Sequence, residues 1–297
     1  MKDDSIRKGL FFMLVASFCF ALTGAFARIL RDDISNVEMV LFRNLIGVVF
    51  IGYSLLRRPA QDEGGKPGLL IFRGIIGTLA LYAFFYGISR IGLAVAITYQ
   101  QSYPVFLSLA AAWMFGDKLK VREWVAILLG FGGVALIFLP QINVSEYSLK
   151  YNLIGLSNAV MTGMAYLSIR GLSQYYDNRK IVLSFMLSGI ILPLISLSLG
   201  AFIQSEKWDF IIASFEWPAT RSWGYILLLG ISALIGQVYL TKAFAYQKTG
   251  IIGAVGYSNI VFSVGFGVLL GDQIPGWEGM MGILLVLICG IMISIKS

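Results

Sequence analysis

The residues with most chemistry to offer stand in unbroken succession at Tyr99, Gln100, Gln101, Ser102, Tyr103 and Pro104. They occupy the middle of an apolar stretch, residues 93–119, that is long enough to cross a bilayer. Hydrocarbon has no water to satisfy such groups, so they are expected to face other protein or a wet cavity. Tyr99 and Tyr103, four apart, share one helix face, with Gln100 and Gln101 progressively around from it. Aromatic walls with amide donors suit a ligand that is part flat or apolar and part polar. The same groups could instead bond helices to one another. Pro104 removes a backbone donor and crowds the carbonyl of Gln100, which predicts a kink there that tilts the patch inward and could serve gating. A second polar-centred stretch, residues 251–274, carries Tyr257, Ser258 and Asn259 at its middle.

Arg43 lies about 10 Å along a helix from Asn36, among apolar neighbours. A charge at that depth usually faces a cavity or a partner, here an anionic or carboxylate-bearing substrate. Outward snorkelling, or capping of backbone carbonyls near Glu38, is the alternative. Arg73, closer to a surface, reads as an interface anchor, as do Arg28 and Arg170. Further candidates for a substrate-lining surface are Tyr82, then Asn158, Thr162 and Tyr166, then Gln237 and Tyr239; Lys242 ranks below Gln237 because it can snorkel.

What is missing narrows the chemistry. The chain has no histidine, which removes the commonest general base and metal ligand together. Cys19 and Cys289 sit in apolar stretches without metal or disulfide spacing and read as buried free thiols. No phosphate-binding glycine loop with its lysine is present, which disfavours primary active transport. No aspartate or glutamate falls deep in an apolar stretch, so tight proton coupling through a buried acid is not expected.

These groups need elements to hold them, and composition says which. Hydrophobic residues make up 58% of the chain and charged ones 13%, far from a soluble average. Ten helical spans are expected, at residues 9–30, 36–56, 68–88, 93–115, 121–139, 149–172, 180–202, 223–246, 251–270 and 277–295. The first resembles a cleavable leader, with Lys2, Arg7 and Lys8 before it and Ala25-Phe26-Ala27 within it. It is expected to be retained, since its end, Arg28-Ile29-Leu30, is echoed by Arg170-Gly171-Leu172. The long connection at 203–222, with Trp208 and Trp217, could lie at a membrane interface. A cytoplasmic N-terminus puts sixteen basic residues inside against six outside, with Arg43 left within a span. Both termini are therefore expected in the cytoplasm, and the net charge of +7 reflects topology rather than nucleic-acid binding.

The halves echo one another. The fourth and ninth spans share a tyrosine-centred polar patch, end in Gly116-Asp117 and Gly271-Asp272, and precede glycine-rich spans opening near Trp124 and Trp277. Five spans per half would make the second half enter the membrane inverted, an architecture that places substrate near the midplane. The expected fold is thus an all-α polytopic membrane protein, ten helices as two inverted repeats (1–140 and 141–297) around a central cavity.

Short motifs then carry a resemblance over nearly the whole chain. They are Glu38 to Arg43, Arg73-Gly74, Tyr86-Gly87-Ile88, Pro104-Val105-Phe106, Gly116-Asp117-Lys118-Leu119, Ala243-Phe244-Ala245 and Gly271-Asp272-Gln273-Ile274. In these the chain resembles the EamA-like family of the drug/metabolite transporter superfamily. Aspartate stands where the family often has glutamate, and Asn259 replaces its second-half proline, which predicts a ninth span straighter than the fourth. The resemblance implies a bacterial inner-membrane exporter or exchanger of small metabolites. Read with the residues, the expected function is secondary transport of small amphipathic metabolites, such as amino acids or their derivatives, by alternating access. No cofactor, metal or nucleic acid is expected; the partners are substrate and bilayer, in a monomer or homodimer. The alternative is a membrane-embedded lipid-handling protein or enzyme, for which Asp117 and Asp272 are the only symmetric acids.

Overall fold

A computed structural model describes residues 2–30, 33–91, 93–116, 119–138, 149–202, 210–245, 249–271 and 276–294. Asp117, Asp272 and Trp208 lie outside them. The described residues form twelve helices: α1 (Lys2–Leu30), α2 (Asn36–Arg57), α3 (Pro67–Ile91), α4 (Leu93–Gln100), α5 (Tyr103–Phe115), α6 (Val121–Phe138), α7 (Leu149–Leu172), α8 (Asn178–Gly200), α9 (Ser222–Ala245), α10 (Thr249–Val255), α11 (Ser258–Leu269) and α12 (Trp277–Ser294). Six stretches are long and apolar enough to cross a membrane: the larger parts of α1 and α3, all of α2, α8 and α9, and Ile251–Leu269 across α10 and α11. Tyr103–Phe115 and Trp277–Cys289 are shorter apolar helices. The protein is an all-helical, multi-pass membrane protein.

Helices without a hydrophobic driving force between them must pack by close backbone approach, and small residues permit it. α2 meets α8 where the Met186 thioether lies on Gly47 and the Asn44 amide lies on Gly189. There Asn44 Nδ2 donates to the carbonyls of Val40 (2.7 Å) and Gly189 (3.3 Å). α6 meets α12 where Gly133 faces the Gly282 carbonyl and Leu285. α1 packs chiefly on α9 and also on α11; α7 packs chiefly on α3 and also on α5; α2 also touches α9, and α3 also touches α8.

Two spans are broken. Between α4 and α5, the Ser102 N–H turns back to the Tyr99 carbonyl (3.1 Å) and the Val105 N–H to that of Ser102 (3.1 Å), three residues back instead of four. Pro104 sits in the first turn of α5, where its missing donor is not needed. Between α10 and α11, Gly256 N–H reaches Gly253 (2.9 Å), Tyr257 reaches Ala254 (3.2 Å) and Asn259 reaches Gly256 (3.0 Å). The expectation of a straighter ninth span is therefore corrected: it breaks without proline, because a run of three-residue bonds at Gly253–Asn259 does the same work.

The connections at each end are pinned by polar contacts. The α2–α3 connection is fastened to the start of α8: Asp62 pairs with Lys180 Nζ (2.8 Å) and accepts from the Asp177 N–H (3.1 Å). Gly64 adopts a φ of +66°, which L side chains rarely take, and its N–H bonds the Tyr175 carbonyl at 3.0 Å. At the opposite end, Ser35 and Glu38 form a reciprocal cap that starts α2. Buried Glu38 also accepts the Glu216 N–H (2.9 Å), and Asp33 accepts from Ser222 Oγ (2.7 Å).

Candidate substrate cavity

A cavity of about 160 Å³ lies inside the bundle. Each wall is one helical face. On α3 it is Arg73, Gly77, Ala80, Leu81 and Phe84; on α1 it runs from Met13 through Ser17, Phe20 and Gly24 to Arg28; on α7 it is Thr162, Ala165 and Tyr166. These spacings follow the 3.6-residue turn. α11 adds Asn259, Ser263 and Phe266, with Leu270 just past its end, and the lining thus runs from mid-bundle to the end where α1 and α11 terminate. At the other end the Tyr166 ring stacks on Phe244 (5.0 Å between centroids) and meets Tyr103 edge-on (5.1 Å). Those three rings make a floor.

Seven residues singled out in the sequence as a substrate-lining surface do line this cavity: Arg43, Gln100, Tyr103, Thr162, Tyr166, Gln237 and Asn259. The two helix breaks cross here. Tyr103 donates its hydroxyl to the Gly253 carbonyl (3.0 Å), and Gln101 Nε2 donates to that of Gly256 (3.4 Å). Asn259 Nδ2 donates to the Ser17 carbonyl (2.8 Å), and Gln237 Nε2 to Thr241 Oγ1 (3.3 Å). Lining and helix bonding, weighed as alternatives from sequence, are done by the same residues.

Five others stand outside the cavity. Tyr82 hydrogen-bonds Ser196 (3.0 Å), and Asn158 Nδ2 donates to the Ala80 carbonyl (2.6 Å). The Tyr99 ring packs on Gly155 of α7. The Tyr257 ring fills the space over Gly130, and its hydroxyl donates to Ile127 (3.3 Å). Tyr239 meets Phe12 edge-on and lies under the Lys242 ammonium. Each polar tip or ring has a protein neighbour that holds it away from the cavity. Pro104 likewise shapes the break without lining the space.

Arg73 was misplaced by its distance from the helix end. It is 1% exposed, against 5% for Arg43. Its guanidinium stacks over the Phe185 ring of α8 (4.5 Å) and lies against Gly77, where a Cβ would collide with Nη1. Arg43, Arg73 and the Tyr166 hydroxyl are close enough to interact electrostatically. Among the described residues no carboxylate lines the cavity or pairs with either arginine. The signal that could have found Arg73 is its four-residue spacing to Gly77, small enough to let the side chain fold back along the helix. No cluster of three or more histidine, cysteine or acidic residues suited to a metal occurs among the described residues.

Residues 7–139 match the EamA-like transporter family. A Helicobacter pylori protein described as an uncharacterized transporter is 30% identical over 99% of this chain and 97% of its own. The pseudopaline exporter CntI of Pseudomonas aeruginosa is 31% identical over 98% of this chain and 97% of its own. Mouse solute carrier family 35 member G1 is 25% identical over 94% of this chain and 76% of its own. A crystal structure 16% identical in sequence superposes over 100% of both chains with a TM-score of 0.77, a likeness of fold.

Proposed function

The chain belongs to the EamA-like transporter family, a membrane transporter rather than an enzyme, and we propose that it is a secondary carrier of small amphipathic, carboxylate-bearing metabolites such as amino acids or their derivatives. The observation that carries this reading is the buried Arg43 facing a cavity with aromatic walls, amide and hydroxyl groups and, among the described residues, no acid. A buried charge without a partner is costly, and a substrate carboxylate supplies the partner. The named exporter among its relatives makes export the favoured direction.

Alternating access is the proposed mechanism, with residues 1–140 and 141–297 as inverted repeats. Support comes from how helices pair. If α1, α2, α3, α4–α5 and α6 correspond to α7, α8, α9, α10–α11 and α12, then α1 on α9 has its counterpart in α7 on α3. Likewise α2 on α9 answers α8 on α3, and α1 on α11 answers α7 on α5. α2 with α8 and α6 with α12 are each their own counterparts. Two halves so related can exchange conformations, giving inward-open and outward-open states of similar energy. With both termini in the cytoplasm of a bacterial inner membrane, the cavity would open outward above the Tyr103–Tyr166–Phe244 floor.

The test is counterflow of labelled amino acids and related acids by purified protein in liposomes. Saturable exchange that disappears in Arg43→Ala is the expected result. Lipid scrambling without exchange of any small acid would overturn the reading in favour of a lipid-handling protein.

A further inference from the structure

Resting on the carrier reading above, we propose that the substrate is a small organic acid bearing two negative charges, with Arg73 holding the second. Arg43 alone calls for one carboxylate. Arg73 adds a second full charge on the neighbouring helix, 1% exposed, and its Nε and Nη1 have no hydrogen-bond partner among the described residues. Its partner in the structure is an aromatic face, which attracts the cation but leaves the edge donors unused. Unused N–H donors on a buried guanidinium are the groups that form charge-assisted hydrogen bonds with a carboxylate.

Charge balance decides the number. The lining includes no acid among the described residues. Closing the site around a monoanion would leave Arg43 or Arg73 desolvated and uncompensated, the most unfavourable arrangement for a buried charge. A dianion neutralises both. The two arginines stand on consecutive helices, each about two turns from the N-terminal end of its own helix. They therefore offer two separate points of attachment, which favours an acid with spaced anionic groups over a single compact one. Gln100 and Thr162 remain for the polar groups between them.

Thermal-shift titration and counterflow with succinate against succinamate, and glutarate against glutaramate, at neutral pH test this. Each pair differs by one carboxylate replaced by an amide of the same shape. Succinate or glutarate is expected to bind the wild type at least about thirty-fold more tightly than its half-amide. Arg73→Gln should erase that preference, and Arg73→Lys should restore part of it. Equal affinity for acid and half-amide in the wild type overturns the two-charge proposal while leaving the carrier reading intact. That comparison needs no variant and so survives any folding defect. A sulfate-induced shift as large as that of succinate also overturns it, because the site would then be selecting charge alone. Absence of binding and counterflow for every acid overturns the proposal together with the carrier reading.

Discussion

The crossing of the two broken helices can be tested by a double-mutant cycle at Tyr103 and Gly256. The Tyr103 hydroxyl bonds the Gly253 carbonyl at 3.0 Å and occupies the space where a Cβ on residue 256 would fall. That Cβ would also meet Met13 Cε and lie 2.8 Å from the Gly253 carbonyl oxygen. Met13 is flexible and can yield; a tyrosine ring held edge-on against Tyr166 cannot. Gly256→Ala should therefore destabilise by about 1–3 kcal/mol, the usual range for overpacking. Tyr103→Phe removes one membrane hydrogen bond, worth about 0.6 kcal/mol on average and about 1.7 at most. The Gly253 carbonyl keeps the Gly256 N–H at 2.9 Å, which holds the loss near the lower figure. With the hydroxyl gone, the alanine methyl loses its closest contact, while that with the Gly253 carbonyl remains. The double variant should be more stable than the sum of the singles by at least about 1 kcal/mol. Equilibrium unfolding in mixed detergent micelles measures all four corners of the cycle. Additivity within error would mean that the hydroxyl does not lie over residue 256, and the account of the crossing would fail.

Other perturbations probe the site and its ends. Gly77→Ala should displace the Arg73 guanidinium without altering any charge; a drop in acid affinity of tenfold or more in thermal-shift titration is expected, about the energy of one ordinary charged hydrogen bond, and unchanged affinity would refute the placement of Arg73. Asp62 is held below the ordinary carboxylate range by the hydrogen bond from Lys180, so its stabilising contribution is fully present above the unfolded carboxylate pKa and is lost as pH falls through the folded value. Asp62→Asn should accordingly flatten the acid limb of a melting-temperature profile below about pH 4, and an identical profile for both proteins would contradict the pairing. An imposed pH gradient should not by itself drive uphill accumulation in proteoliposomes; several-fold accumulation would restore proton coupling.

How far the sequence could be read depended on what each residue faced. The patch at Tyr99–Pro104 was legible because polar groups in hydrocarbon demand a partner, and the break falls within it. The second break was not, because it uses no proline; Gly253 and Gly256 were the available signals, the first giving room to Leu107 and the second to the Tyr103 hydroxyl. Tyr82, Tyr99, Asn158, Tyr239 and Tyr257 look as polar as the true lining residues. These spans are apolar nearly all round, so periodicity cannot say which face turns to a cavity and which to another helix. Arg73 shows the converse: depth along one helix said surface, while cover by α8, more than a hundred residues later, made it buried.

That delay bears on how the protein is made. When α2 and α3 first enter the membrane, Phe185 and Tyr166 do not yet exist; at bacterial elongation rates they follow after on the order of ten seconds. During that interval Arg43 and Arg73 together oppose insertion by at most about 5–7 kcal/mol, the sum for two arginines at helix centres. Leucine, isoleucine, phenylalanine and valine each return only about 0.3–0.6 kcal/mol at a helix centre, so most of the remaining length of both helices must be apolar. Substitutions that make the lipid-facing side of α2 or α3 more polar should therefore lower the amount of protein inserted while leaving the finished molecule's transport rate unchanged.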